Sequence, residues 1–192
     1  MDINKLTVKT QEAIQAAQSK ATRLGHVEVD GEHLLAALLE QPEGLVPRVL
    51  QKLGVEPEAL SRALKKELEK RPSASGGGME AGKIYVSQRF NRLLVKAEEE
   101  ARHLKDEYVS VEHLLLALVE EGSATAAGRL FREFGIDRDR LLKALSEMRG
   151  HQRVTSPDPE GTYEALEKYG IDLVKAVQKG KLDPVIGRDS EI

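Results

Sequence analysis

The nine residues EHLLAALLE, Glu32 to Glu40, return eighty positions later as EHLLLALVE, Glu112 to Glu120. A chain that carries one segment twice at a fixed offset is built from two copies of a supersecondary unit, so its fold must let that unit pack beside its copy. The likeness reaches well beyond the nine residues. RLGHVEVDGEHLLAALLE and HLKDEYVSVEHLLLALVE agree at Leu24/Leu104, Val29/Val109 and His33/His113, among others. Upstream, Thr7/Ser87, Ala17/Ala97 and Ala21/Ala101 keep the offset. Downstream, after one inserted residue, VLQKLGVEPEALSRAL meets LFREFGIDRDRLLKAL.

Each unit reads as four helices. Thr7 and Ser87 are N-caps to segments with apolar or small residues three and four apart: Ile14, Ala17, Ala21 and Leu24 in one, Leu93 or Leu94, Ala97, Ala101 and Leu104 in the other. Asp30 and Ser110 cap the second helices, where the repeated Glu falls in the first turn and favours the positive end of the macrodipole. Gly54 and Gly135 follow the third helices, and Pro57 suits the first position of the fourth. Leu60, Leu64 and Leu68, with Leu141, Leu145 and Met148, form core-facing stripes. Burying one Leu contributes roughly 1.5 to 3 kcal/mol, so most of the repeated identity is core. The expected fold is all-α: a duplicated four-helix repeat, about eight helices, related by a pseudo-twofold axis with a groove or seam between the copies.

RPSASGGGMEAG, Arg71 to Gly82, and GHQRVTSPDPEG, Gly150 to Gly161, lack apolar periodicity and are rich in Gly, Ser and Pro. They divide the chain into a domain over 1–149 (repeat one 1–70, linker 71–82, repeat two 83–149), a flexible connection over 150–161, and a helical segment over 162–192. With a net charge of -3 and a pI near 6.0 the chain has no basic footprint for nucleic acid. It has no cysteine, no signal-peptide core in MDINKLTVKT and no apolar run approaching the roughly 20 residues of a membrane span. A cytoplasmic protein without nucleic-acid or membrane partners is the expectation.

Catalytic apparatus is not visible. HExxH and GxSxG do not occur, and His33 and His113 each lack a second metal ligand at helical spacing; a histidine tucked beside the core at a helix start fits them better. GKI at Gly82 and GKL at Gly180 lack the Ser or Thr and the preceding Gly of a P-loop, so these residues are not expected to hydrolyse ATP or hold a cofactor. Asp106, Glu107 and Glu112 precede or open a helix in the second unit. They fit either a solvated loop with a helix-start acid or one wall of the seam, near Thr7, where an incoming peptide is received. Leu94 and Val95, in RLLVK, widen the core stripe or offer an apolar contact to unfolded chains.

The duplicated EHLLxAL unit, the Gly-rich middle linker and the tail GTYEALEKYGIDLVKAVQKGKLDPVIGRDSEI together resemble the ClpB family of bacterial AAA+ disaggregases, over essentially the whole chain. The likeness is to the N-terminal domain and the lead-in to the first ATPase module. It implies a homohexameric machine that uses ATP and magnesium to thread aggregated polypeptide through a pore, working with the DnaK chaperone system; the fragment itself is expected to be monomeric. It also implies that Thr7, Asp106 and Glu112, with Leu94 and Val95 on the adjoining apolar groove, engage substrate, and that Val185 and Ile186 touch adenine in the complete module. A second resemblance, to the ClpC protease partners that bind adaptors or arginine-phosphorylated clients, implies two anionic pockets, Thr7 with Glu32 and Ser87 with Glu112.

Overall fold

A computed structural model of the chain describes residues 2–73, 85–150 and 152–160. Among these residues eight α-helices form two consecutive sets of four. The first set is α1 (Val8–Arg23), α2 (Gly31–Glu40), α3 (Leu45–Lys52) and α4 (Pro57–Glu69); the second is α5 (Gln88–His103), α6 (Val111–Glu120), α7 (Ala126–Glu133) and α8 (Arg138–Arg149). The expected all-α repeat is therefore present, and no described helix is long and apolar enough to cross a membrane.

The caps explain where the helices begin. Thr7 Oγ1 accepts the N–H of Thr10 at 3.2 Å and Ser87 Oγ that of Phe90 at 2.9 Å. At the starts of α2 and α6 the capping box uses histidine: Nδ1 of His33 accepts the N–H of Asp30 at 2.9 Å, and Nδ1 of His113 that of Ser110 at 2.8 Å. Both rings are fully buried. Gly54 and Gly135 end α3 and α7 in the left-handed region, with φ of +79° and +71°.

Helices α2 and α6 are buried almost throughout and form the centre. α1 packs on α2 and α5 on α6, while α2 also meets α6, α3 meets α6 and α8, and α4 meets α7. The repeats thus share one core, with Leu34, Leu35, Leu38, Leu114, Leu115 and Leu118 excluded from solvent.

Two short parallel pairings lock the copies together. β1 (Glu28–Val29) lies beside β2 (Tyr85–Val86), with Val29 opposite Val86, and Leu6 forms a bridge with Val109. The offset of eighty carries Leu6 to Val86 and Val29 to Val109, so these are the same contact made twice with the partners exchanged. Such reciprocity is the mark of a twofold. Two-residue strands are too short to leave a period in the sequence, which is why only helices are legible there.

One glycine is required by close approach. A Cβ at Gly128 in α7 would stand 1.7 Å from the carbonyl oxygen of Gly122, a backbone atom that cannot swing aside. Gly128→Ala is expected to cost about 1–3 kcal/mol through overpacking, read as a lower urea midpoint with an unchanged slope. An alanine variant as stable as the parent would show that the 122–124 turn moves freely.

Candidate binding seam

Where the start of the first repeat meets the second, Thr7 comes to the same place as Asp106 and Glu112. The N–H of Thr7 donates to the carbonyl of Val109 at 3.0 Å, setting the start of α1 against the approach to α6. Asp106 lies at the foot of that approach with its carboxylate wholly buried. It accepts from Nε2 of His113 at 2.7 Å, from Arg149 at 2.6 Å and from the N–H of Val154 at 2.8 Å. Burial pushes its carboxyl up, but these hydrogen bonds outweigh that effect and hold it below the ordinary aspartate value. Because Nδ1 of His113 accepts a backbone N–H, Nε2 carries the proton given to Asp106. Arg149 also stands 3.4 Å from Glu112, which hydrogen-bonds the hydroxyl of Ser110.

Residues 152–160, which fall in the segment expected to be a flexible connection, lie along this cluster. Val154 is fully buried, its carbonyl accepts the N–H of Glu107 at 2.8 Å, and the carbonyl of Pro157 accepts the N–H of Val8 at 2.8 Å. Glu160 then turns inward. Its Oε2 accepts from the hydroxyl of Thr7 at 2.8 Å and from the N–H of Val111 at 3.3 Å, while Oε1 is buried without a partner. Burial, with the carboxylate of Glu112 beside it, pushes the Glu160 acid up to about 7.

The corresponding place in the first repeat is filled differently. Glu32 is fully buried and gripped in bidentate fashion by Arg89, at 2.6 and 2.8 Å, and also by Arg71; the N–H of Ala127 completes it at 3.0 Å. Arg89 reaches on to Glu121 at 2.9 Å, and Ser87 donates to Asp30 at 2.9 Å. Burial pushes Glu32 up, and the hydrogen bonds and charge of Arg89 more than reverse it. His33, buried and facing the charge of Arg71, is lowered to about 4 and stays neutral; its Nε2 meets Nδ1 of His26 at 2.8 Å. The offset maps His26 onto Asp106, so the same socket holds a His–His pair in one copy and an Asp–His pair in the other.

Residues 5–134 match the Clp repeat (R) N-terminal domain. The chain belongs to that family. Similarity to curated relatives continues to the last residue: the chain is 57% identical over 192 residues to the chaperone protein ClpB of Nitratidesulfovibrio vulgaris strain Hildenborough, covering 100% of this chain and 22% of the relative. It is 54% identical over 192 residues to the ClpB of Bacillus anthracis, with the same two coverages of 100% and 22%. The chain therefore spans about a fifth of the length of these curated relatives. Among solved structures it resembles the Hsp104 N-terminal domain from Candida albicans, with a TM-score of 0.69 and 26% identity over 81% of this chain and 99% of that one.

In this Clp N-terminal domain the acids expected either in a solvated loop or on the seam are divided. Asp106 and Glu112 are buried, and only Glu107 is exposed. Leu94 and Val95 sit on α5, which packs on α6; Leu94 is half-buried against the core and Val95 is 52% exposed. The pairing of Thr7 with Glu32 and of Ser87 with Glu112 is reversed: Ser87 bonds to Asp30 beside Glu32, and Thr7 shares Glu160 with the start of the Glu112 helix. The exchanged strands cross the two copies over. The Glu32 socket already contains the guanidinium groups of Arg71 and Arg89. Val185 and Ile186 lie outside the described residues, as does most of the 71–82 linker. Sequence reasoning missed Arg89, Arg149, Val154 and Glu160. Among the described residues no cluster of three or more His, Asp or Glu side chains is arranged to hold a metal ion.

Proposed function

We propose that this domain engages unfolded or aggregated polypeptide for an ATP-driven disaggregase of the ClpB type. The observation that carries the reading is the extent of the likeness: it does not stop with the repeat at residue 134 but runs through all 192 residues of the chain. In this reading the complete protein is a cytoplasmic homohexamer that works with the DnaK system. ATP and magnesium belong to a module of which the chain carries only the lead-in, including Val185 and Ile186; these residues supply no phosphate-binding loop of their own. The client-engaging residues are Thr7, Asp106 and Glu112 at the seam, with Leu94 and Val95 as apolar contacts on α5. A few polar anchors beside modest apolar surface suit weak binding of many different chains, which must be released once handed on.

Titration of the chain with reduced, carboxymethylated α-lactalbumin, a permanently unfolded protein, tests the reading by NMR. Weak shifts at Thr7, Leu94, Val95, Asp106 and Glu112 are expected. Val95→Asp, at an exposed position, is expected to weaken this binding several-fold while changing stability by no more than about 0.5 kcal/mol. Saturable shifts at Glu32 and Glu112 with free phosphoarginine, and none with the unfolded protein, would instead indicate the protease-partner activity.

A further inference from the structure

Residues 154–160, which bend at Ser156 and Pro157 and turn helical at Pro159, make contacts of a kind that a bound peptide would make. Their backbone joins the domain at both ends, through Val154 to Asp106 and Glu107 and through Pro157 to Val8. Val154 is wholly enclosed, Pro159 is buried as well, and one acid, Glu160, is inserted between Thr7 and the first N–H of α6. Two of the groups so occupied belong to the residues proposed to receive clients, the Thr7 hydroxyl and the Asp106 carboxylate, and the acid of Glu160 feels the charge of the third, Glu112.

We propose that residues 154–160 are an intramolecular occupant of the client seam, and that a client segment binds by taking their place. This rests on the client-engaging reading of Thr7, Asp106 and Glu112. The contacts are sparse, and their cost shows: Oε1 of Glu160 is buried without a hydrogen-bond partner. A buried unpartnered polar atom is costly, so the segment holds its place weakly. Weak attachment suffices, because a tethered segment acts at the high effective concentration set by its short connection to α8. A client that competes must reproduce the features the seam reads: a backbone that accepts from Glu107 and donates to Asp106, a Val-sized apolar residue, and several residues further on a side-chain oxygen that accepts from Thr7 and Val111.

The test uses the full 192-residue chain. Two variants, Val154→Asp and Glu160→Ala, remove the enclosed apolar group and the inserted acid independently, so that one remains informative if the other misfolds. Release is read as faster hydrogen exchange at the N–H groups of Val8 and Glu107, and client binding as affinity for carboxymethylated α-lactalbumin. Release with client affinity raised about fivefold is expected, and the peptide QRVTSPDPE added in trans should restore slow exchange and compete with the client. Release with unchanged or lower client affinity would overturn the occupant role. So would exchange at Val8 and Glu107 in the parent as fast as in an unstructured peptide. Absence of client binding by parent and variants alike would remove the client-engaging reading, and with it the competition, even where the peptide still docks.

Discussion

Replacing Arg89 with methionine is expected to lower the stability of the domain by about 3–5 kcal/mol, the usual penalty for removing one partner of a buried ion pair. Glu32 has no access to water, and Arg89 supplies two of its hydrogen bonds, at 2.6 and 2.8 Å. Without that fork the carboxylate keeps Arg71 and the N–H of Ala127, and Glu121 loses its partner as well. The charge is left desolvated and under-compensated. Adding Glu32→Met in the same chain should recover part of the loss, because it removes the buried charge, while Arg71 and the N–H of Ala127 lose their acceptor and keep the recovery incomplete. Urea denaturation of the parent, the two single variants and the double variant measures the coupling. A double variant no more stable than Arg89→Met would mean that Arg89 acts through its packing, not through Glu32.

Asp106→Ala is expected to cost about 3 kcal/mol for a related reason. The substitution strips a fully buried acceptor from His113, Arg149 and the N–H of Val154 together. Asp106→Asn, which keeps an acceptor oxygen but not the charge, should fall between parent and alanine variant. Acid titration supplies the sign. A carboxyl held below its ordinary value of 3.8 contributes stability that is fully present above that pH and is lost as pH falls through the depressed value of the folded state. The parent should therefore lose stability steeply on acidification below about 3.8, and Asp106→Asn should lack that part of the dependence. Identical acid limbs for the two proteins would assign the loss to other carboxyls. The substitution also bears on client binding, so affinity measurements on Asp106 variants must be made where the variant is still folded.

What could be anticipated from residues alone was local. N-caps at Thr7, Ser87, Asp30 and Ser110, the left-handed glycines at 54 and 135 and the leucine stripes all depend on neighbours within a turn or two, so spacing reveals them. The sockets do not. Glu32 owes its state to Arg71, 39 residues away, and to Arg89, 57 residues away. The repeated EHLL suggested that Glu32 and Glu112 have one role, yet their surroundings diverge. The copy of Arg89 in the first repeat is Lys9, which pairs with Glu12 at 3.5 Å on the surface. An ordered path for residues 152–160 was hidden for a different reason: Pro, Ser and Gly composition speaks of the absence of helix and strand periods, and says nothing of hydrogen bonds made to other segments.

The exchanged strand contacts carry a consequence for how such a domain can be assembled. Leu6 needs Val109 and Val86 needs Val29, so neither half completes its own edge. A half expressed by itself would present to a second molecule the very surface that it presents here to its covalent neighbour. The arrangement is that of a homodimer whose subunits have been joined end to end, and whose matching halves were then free to diverge into an arginine-filled socket on one side and an acid-filled one on the other.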